Sequence, residues 1–154
     1  ATGGSAMMVA AAEATAVAYQ ELLRVEPNAS KPALIAVTIL TSMTAKTLSE
    51  ELNVSLPLDK MVTYLAKLAQ QSKLDGVVAS AQEATAIRES CGDDFLIITP
   101  GIRPSWAEAN DQARIVTPRD AIARGADYIV VGRPIVKAPD RVAAARKIVE
   151  ELST

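Results

Sequence analysis

The sequence predicts an α/β fold built on a parallel sheet. Two observations carry this. Short apolar runs rich in β-branched residues recur along the chain, and helical patterns fall between them. The resulting order is one helix followed by four strand–helix repeats, the arrangement expected of folds with right-handed crossovers.

The strand candidates are Leu34 to Leu40, Gly76 to Ser80, Phe95 to Thr99 and Tyr128 to Val131. Each is apolar almost throughout, as expected of parallel strands covered on both faces. Among the helices, Met7, Ala11, Ala14, Ala18 and Leu22 mark one face of the first. Thr44 caps a short helix from about Ala45 to Leu52. Leu58, Val62, Leu65 and Leu68/Ala69 stripe the next. Ser80 followed by Glu83 has the spacing of a capping box, opening a helix that stops near Cys91-Gly92. Thr117-Pro118 with Asp120 supplies a cap, a first-turn proline and an N-terminal acid for a helix ending at Arg124-Gly125. Val142, Ala145, Ile148/Val149 and Leu152 stripe the last.

The 154 residues suffice for one domain with a core. With one Phe, one Trp and three Tyr, aliphatic side chains must fill that core. A closed eight-unit barrel needs roughly 250 residues, so a single partial domain over residues 1–154 is expected. The opening Ala1-Thr2-Gly3-Gly4 carries no initiator Met and reads like a strand end and its turn, so a preceding segment is expected. Net charge is −2, which gives no general attraction to nucleic acid or to an anionic membrane. No apolar run approaches a membrane span, and no signal peptide is visible. The single cysteine, Cys91, precludes an internal disulfide and suits a reducing cytoplasm. It reads as packing, with no base beside it. The chain has no His, which excludes Ser-His, Cys-His and His-metal chemistry within it.

In such folds ligands lie at the C-terminal ends of the strands. Charge is uneven there: Gly101 to Lys137 holds six Lys/Arg against four Asp/Glu. The fourth strand runs into Val131-Gly132-Arg133-Pro134-Ile135. Gly132 admits close approach of a ligand to the backbone, and Arg133 offers a planar fork matched to phosphate oxygens. A tight turn with a solvated Arg is the plainer alternative. The third strand runs into Thr99-Pro100-Gly101-Ile102-Arg103-Pro104, then a long aperiodic stretch to Val116. That stretch reads as a lid over substrate or as a surface loop. Thr38 to Thr44, in which the first strand ends, offers hydroxyls to a polar ring edge. None of the seven lysines lies on an inferred strand, and no carboxylate pair or metal-ligand cluster stands out.

Taken together, Leu74-Asp75-Gly76-Val77-Val78-Ala79-Ser80, Thr99-Pro100-Gly101-Ile102-Arg103-Pro104, Asp111-Gln112-Ala113-Arg114-Ile115-Val116-Thr117-Pro118 and Ala126-Asp127-Tyr128-Ile129-Val130-Val131-Gly132-Arg133-Pro134-Ile135 resemble the orotidine 5′-phosphate decarboxylase family. Val37 to Met43 and Gly3 to Met8 fit it too, so the resemblance runs the length of the chain. It implies a (β/α)₈ TIM barrel, of which this chain covers the second half: the fourth helix, then strands five to eight. It implies a lyase of pyrimidine biosynthesis, cytoplasmic and homodimeric when intact, that makes uridine 5′-monophosphate without a cofactor. By the same resemblance Thr41 lies near the nucleotide, Gln112 reaches from the lid toward phosphate, and Arg103, Gly132 and Arg133 hold the phosphate end. The family's catalytic Asp/Lys/Asp motif has no counterpart here, so catalytic residues are expected to be absent and the chain alone inactive. A half barrel that only binds phosphate or nucleotide, and a related decarboxylase of sugar-acid phosphates, are the alternatives.

Overall fold

The computed structural model describes residues 1–107 and 116–153. Four strands, β1 (Ile35–Val37), β2 (Gly76–Val78), β3 (Leu96–Thr99) and β4 (Tyr128–Ile129), pair in that order, all parallel. Helices α1 (Gly4–Val25), α2 (Leu58–Gln71), α3 (Ala84–Cys91), α4 (Pro118–Ala123), α5 (Arg133–Val136) and α6 (Arg141–Ser153) connect and flank them. The α/β fold with a parallel sheet is therefore as expected. The strands are shorter than the apolar runs that announced them, although Thr38 N–H and Val130 N–H each still bond the neighbouring strand.

Ala36, Val77 and Ile97 stand side by side in register and are buried under α2 and α3. Val62, Leu65, Ala66 and Ala69 of α2 and Ile87 of α3 complete that core, as the α2 stripe anticipated. The other face of the sheet differs from expectation. Ile35, Val37, Tyr128 and Val130 are exposed, and Val78, Leu96 and Ile98 are only half-buried. Among the described residues, cover exists on one face only.

Three further expectations are corrected. The outermost helices are rotated from their predicted stripes. In α1 the only fully buried residue is Met8, with Ala11, Ala12, Thr15 and Tyr19 partly buried, while Met7, Ala14, Ala18 and Leu22 face solvent. In α6 Ala144 and Ile148 are buried, while Val142, Val149 and Leu152 are exposed. Periodicity finds an apolar stripe, and both helices are apolar on more than one side, so it does not say which stripe is used. Ser80 and Glu83 form no capping box. Ser80 Oγ accepts from Gln82 N–H at 3.3 Å, and α3 begins one residue beyond Glu83. The short helix before α2 starts at Ala45 and is capped by Thr44 as expected, Thr44 Oγ1 accepting from Thr47 N–H at 3.1 Å, but its Thr47–Glu51 segment is a π-helical turn.

The entries to β2 and β4 are built alike. After α2, Lys73 takes a left-handed conformation (φ 63°), Leu74 N–H bonds Ala69 O at 3.1 Å, and Asp75 follows. After α4, Gly125 takes it (φ 99°), Ala126 N–H bonds Ala121 O at 3.1 Å, and Asp127 follows. Both are left-handed helix stops that satisfy orphan carbonyls. Each aspartate then accepts a backbone N–H from the adjacent strand run, Leu34 for Asp75 and Ile97 for Asp127, both at 2.7 Å. Each also takes a cation, Lys31 at 3.0 Å and Arg88 at 2.8 Å. Gly76, next to the first of these joints, leaves room for β3: a Cβ there would stand 2.3 Å from Leu96 O.

Candidate phosphate site at the C-terminal rim

The loop after β3 turns at Gly101 (φ 77°) and delivers Arg103 into the structure. Arg103 is 5% exposed, and its guanidinium donates to Ile102 O at 2.8 Å. Its backbone N–H bonds Val116 O at 3.0 Å, and Ile102 pairs with Val116 in a parallel bridge. Both ends of the intervening stretch are thus tied together. Gln112 lies outside the described residues.

After β4 the chain passes through Val131 to Gly132, whose carbonyl accepts from Ile135 and Val136 N–H at 3.0 Å and so opens α5. Neither conformation (φ −101°) nor packing demands glycine at 132, since an added Cβ would meet nothing within 4 Å. The space beside it is open, the condition for close approach of a ligand. Arg133 and Pro134 are the first residues of α5. The turn expected after β4 is therefore one turn of helix.

These two loops meet. Arg103 and Arg133 line one cavity of about 440 Å³, together with Trp106, Pro134, Lys137 and Ala138. No carboxylate among the described residues is in its wall. Residues far apart in sequence thus bring three cations to one cavity, an arrangement matched to a phosphate group. Arg133 and Arg103 were expected here. Lys137 and Trp106 were not assigned, because one lysine after a turn and one tryptophan in a loop carry no distinctive sequence signal. Helix α6 supports this wall. Lys147 Nζ lies 5.7 Å from the centre of the Trp106 ring, and Glu151 Oε1 accepts from Ser105 N–H at 3.4 Å.

Thr41 is not in that cavity. It lines a second one of about 260 Å³ with Val37, Leu40, Ser42, Val78 and Pro100. Pro100 belongs to the same loop as Arg103, so the two cavities flank that loop on the same rim of the sheet. Two other hydroxyls of the first loop, Thr38 and Thr44, serve the fold. Thr38 donates to Val78 O at 2.9 Å, and Thr44 caps the π-helical turn. Thr99 does likewise, donating to Tyr128 O at 3.2 Å.

A larger cavity of about 560 Å³ opens at the opposite rim, lined by Lys31, Gln70, Asp75, Cys91, Asp93 and Asp94 among others. Among its described lining residues the only cation, Lys31, is paired with Asp75 and acids predominate, so it is unsuited to an anion. Burial pushes the Cys91 thiol up, outweighing the nearby Lys67 and Arg88, so this cysteine is a poor nucleophile. No described helix is long and apolar enough to cross a membrane.

The sequence profile described as "Orotidine 5'-phosphate decarboxylase / HUMPS family" matches residues 1–148. Orotidine 5′-phosphate decarboxylases from Trichlorobacter lovleyi and Syntrophotalea carbinolica are 51% and 52% identical to the chain over 99% of its length. The match covers 60% of each of those proteins, so the chain spans about 60% of the length of the curated relatives it matches. The crystal structure of orotidine 5′-phosphate decarboxylase from Lactobacillus acidophilus superposes with a TM-score of 0.69 at 42% identity, over 82% of this chain and 52% of that one. An uncharacterized conserved protein from Geobacillus kaustophilus superposes with a TM-score of 0.72 at 39% identity, over 98% of this chain and 60% of that one. With a profile match over nearly the whole chain and relatives at half identity, the chain belongs to the orotidine 5′-phosphate decarboxylase / HUMPS family.

Proposed function

We propose that this chain is the phosphate-gripping half of an orotidine 5′-phosphate decarboxylase, which forms uridine 5′-monophosphate and CO₂. The observation that carries this is the convergence of Arg103 and Arg133 on one cavity with no carboxylate among its described lining residues. In this reading the two guanidinium groups bind the phosphate, with the open backbone at Gly132 beside it and Gln112 closing from the lid. Thr41, in the neighbouring cavity, faces the nucleoside.

Residues 1–154 then form a single partial domain, the fourth helix and the fifth to eighth strands of a (β/α)₈ barrel. The exposed sheet face and the outward apolar stripes of α1 and α6 support this, because each is where a complementary half would pack. The intact enzyme is a cytoplasmic homodimer working without metal or organic cofactor. In the reaction, the bond from C6 of the pyrimidine to the carboxylate breaks and its electron pair stays on C6. A lysine ammonium then supplies the proton. That lysine and the aspartates around it belong to the complementary half. All seven lysines here lie outside the strands, which supports the reading that the chain alone does not decarboxylate. The phosphate is remote from the breaking bond, and its binding energy serves to close the lid and orient the base.

The test is titration with uridine 5′-monophosphate and with uridine. Arg133→Ala should weaken the nucleotide by about 1.5–3 kcal/mol, the value of a charge-assisted bond, and leave uridine unchanged. Equal losses for both ligands would sink the phosphate assignment, and turnover by the 154-residue chain would sink the division of labour. A half barrel that only binds phosphate is the second reading, favoured by the placement of the lysines.

A further inference from the structure

We infer that Lys137 is a third phosphate-binding cation, placed at the mouth of the cavity to capture the doubly charged group. The inference rests on the phosphate reading above and deepens it. Lys137 directly follows α5, and its backbone N–H bonds Arg133 O at 3.0 Å. Side chains four residues apart on a helix lie on one face, and both of these line the cavity that Arg103 enters from the other loop. Like charges at that spacing repel, and an anion between them would relieve that repulsion. No carboxylate among the described residues lines the cavity, and the Lys137 ammonium makes no ion pair or hydrogen bond among the described residues.

The three cations are unequal. Arg103 is almost completely buried, Arg133 is half-buried and Lys137 is exposed. The arginines therefore supply fixed forks at the base of the cavity. Lys137, with a compact charge on a flexible stem, reaches outward from its rim. A phosphate monoester carries about −1.5 to −2 charge at pH 7, and Lys137 adds an outer cation to meet that charge. An outer cation of this kind governs capture and its dependence on salt.

The experiment titrates the 154-residue chain with inorganic phosphate, uridine 5′-monophosphate and uridine, at low and high sodium chloride. Lys137→Met should weaken both phosphate-bearing probes about fivefold at low salt and flatten their salt dependence, with uridine unchanged. Lys137→Arg should restore most of the loss. If Lys137→Met binds like the wild type at both salt concentrations while Arg133→Ala is impaired, the role of Lys137 is overturned and the phosphate site stands. If the wild-type chain binds neither phosphate-bearing probe, the phosphate reading falls and this inference with it.

Discussion

The two rims of the sheet use charge in opposite ways. At the N-terminal rim Asp75 and Asp127 each accept a backbone N–H from the adjacent strand run and hold a cation of this same chain. Arg88 donates to the carbonyls of Gly92, Asp93, Phe95 and Gly125 as well as to Asp127. At the C-terminal rim Arg103, Arg133 and Lys137 share a cavity with no carboxylate among its described lining residues. One rim's charges are paired with opposite charges of the fold, and the other's are gathered around one cavity. The difference separates charges that tie elements of the fold together from charges that line a candidate site.

The sharpest way to break this division is Arg88→Ala. It removes five hydrogen bonds at once and leaves Asp127 without its cation. A loss of about 3 kcal/mol of stability is expected in chemical denaturation. Phosphate affinity of the folded fraction should be unchanged, the mirror image of Arg133→Ala.

A smaller effect should appear in acid. Burial alone would raise the Asp75 pKa, but the Leu34 N–H and the Lys31 ammonium together hold it below the usual carboxylate value. A carboxylate depressed by folding stabilises the fold above its unfolded pKa and loses that contribution as pH falls through the folded one. Stability of the wild type should therefore decline on acidification below the ordinary carboxylate range. Asp75→Asn should give a flatter acid limb in thermal melts at stepped pH, while neutral stability falls by less than about 1 kcal/mol for this partly exposed pair. An unchanged limb would deny Asp75 its part in the N-terminal rim.

The smallest effect belongs to the other rim. Lys147→Met removes the cation over Trp106, a contact of about 0.5 kcal/mol when exposed. Trp106 is the only tryptophan, so its fluorescence reports the change directly. A shifted emission with unaltered melting would place Lys147 with the C-terminal rim rather than with the fold's stabilising contacts.

Much of this was legible in the sequence, and the failures share a cause. Four apolar runs gave the strands, and the α2 stripe gave the main core. The stripes of α1 and α6 misled because an alanine-rich helix is apolar on several sides, and only tertiary contact chooses among them. The aspartate joints left no local signal. Asp75 and Asp127 look like ordinary loop acids until the fold sets Leu34 and Ile97 against them. In the site, Arg133 was visible from its Gly-Arg-Pro turn and Arg103 from family resemblance. That Lys137 shares their cavity follows from the single turn of α5, which the sequence presented as a bend.

The bridge between Ile102 and Val116, with the Arg103-to-Val116 hydrogen bond, has a consequence for how this protein can vary. It pins both ends of residues 104–115 against each other, so the sheet does not register how much chain lies between them. Loop-closure entropy grows only with the logarithm of length, so doubling the segment costs about 0.6 kcal/mol. Insertions, deletions or a grafted peptide can enter there while Arg103 keeps its place. Length and sequence between the two pinned residues are free to diversify at a different evolutionary tempo from Arg103 and Val116 themselves.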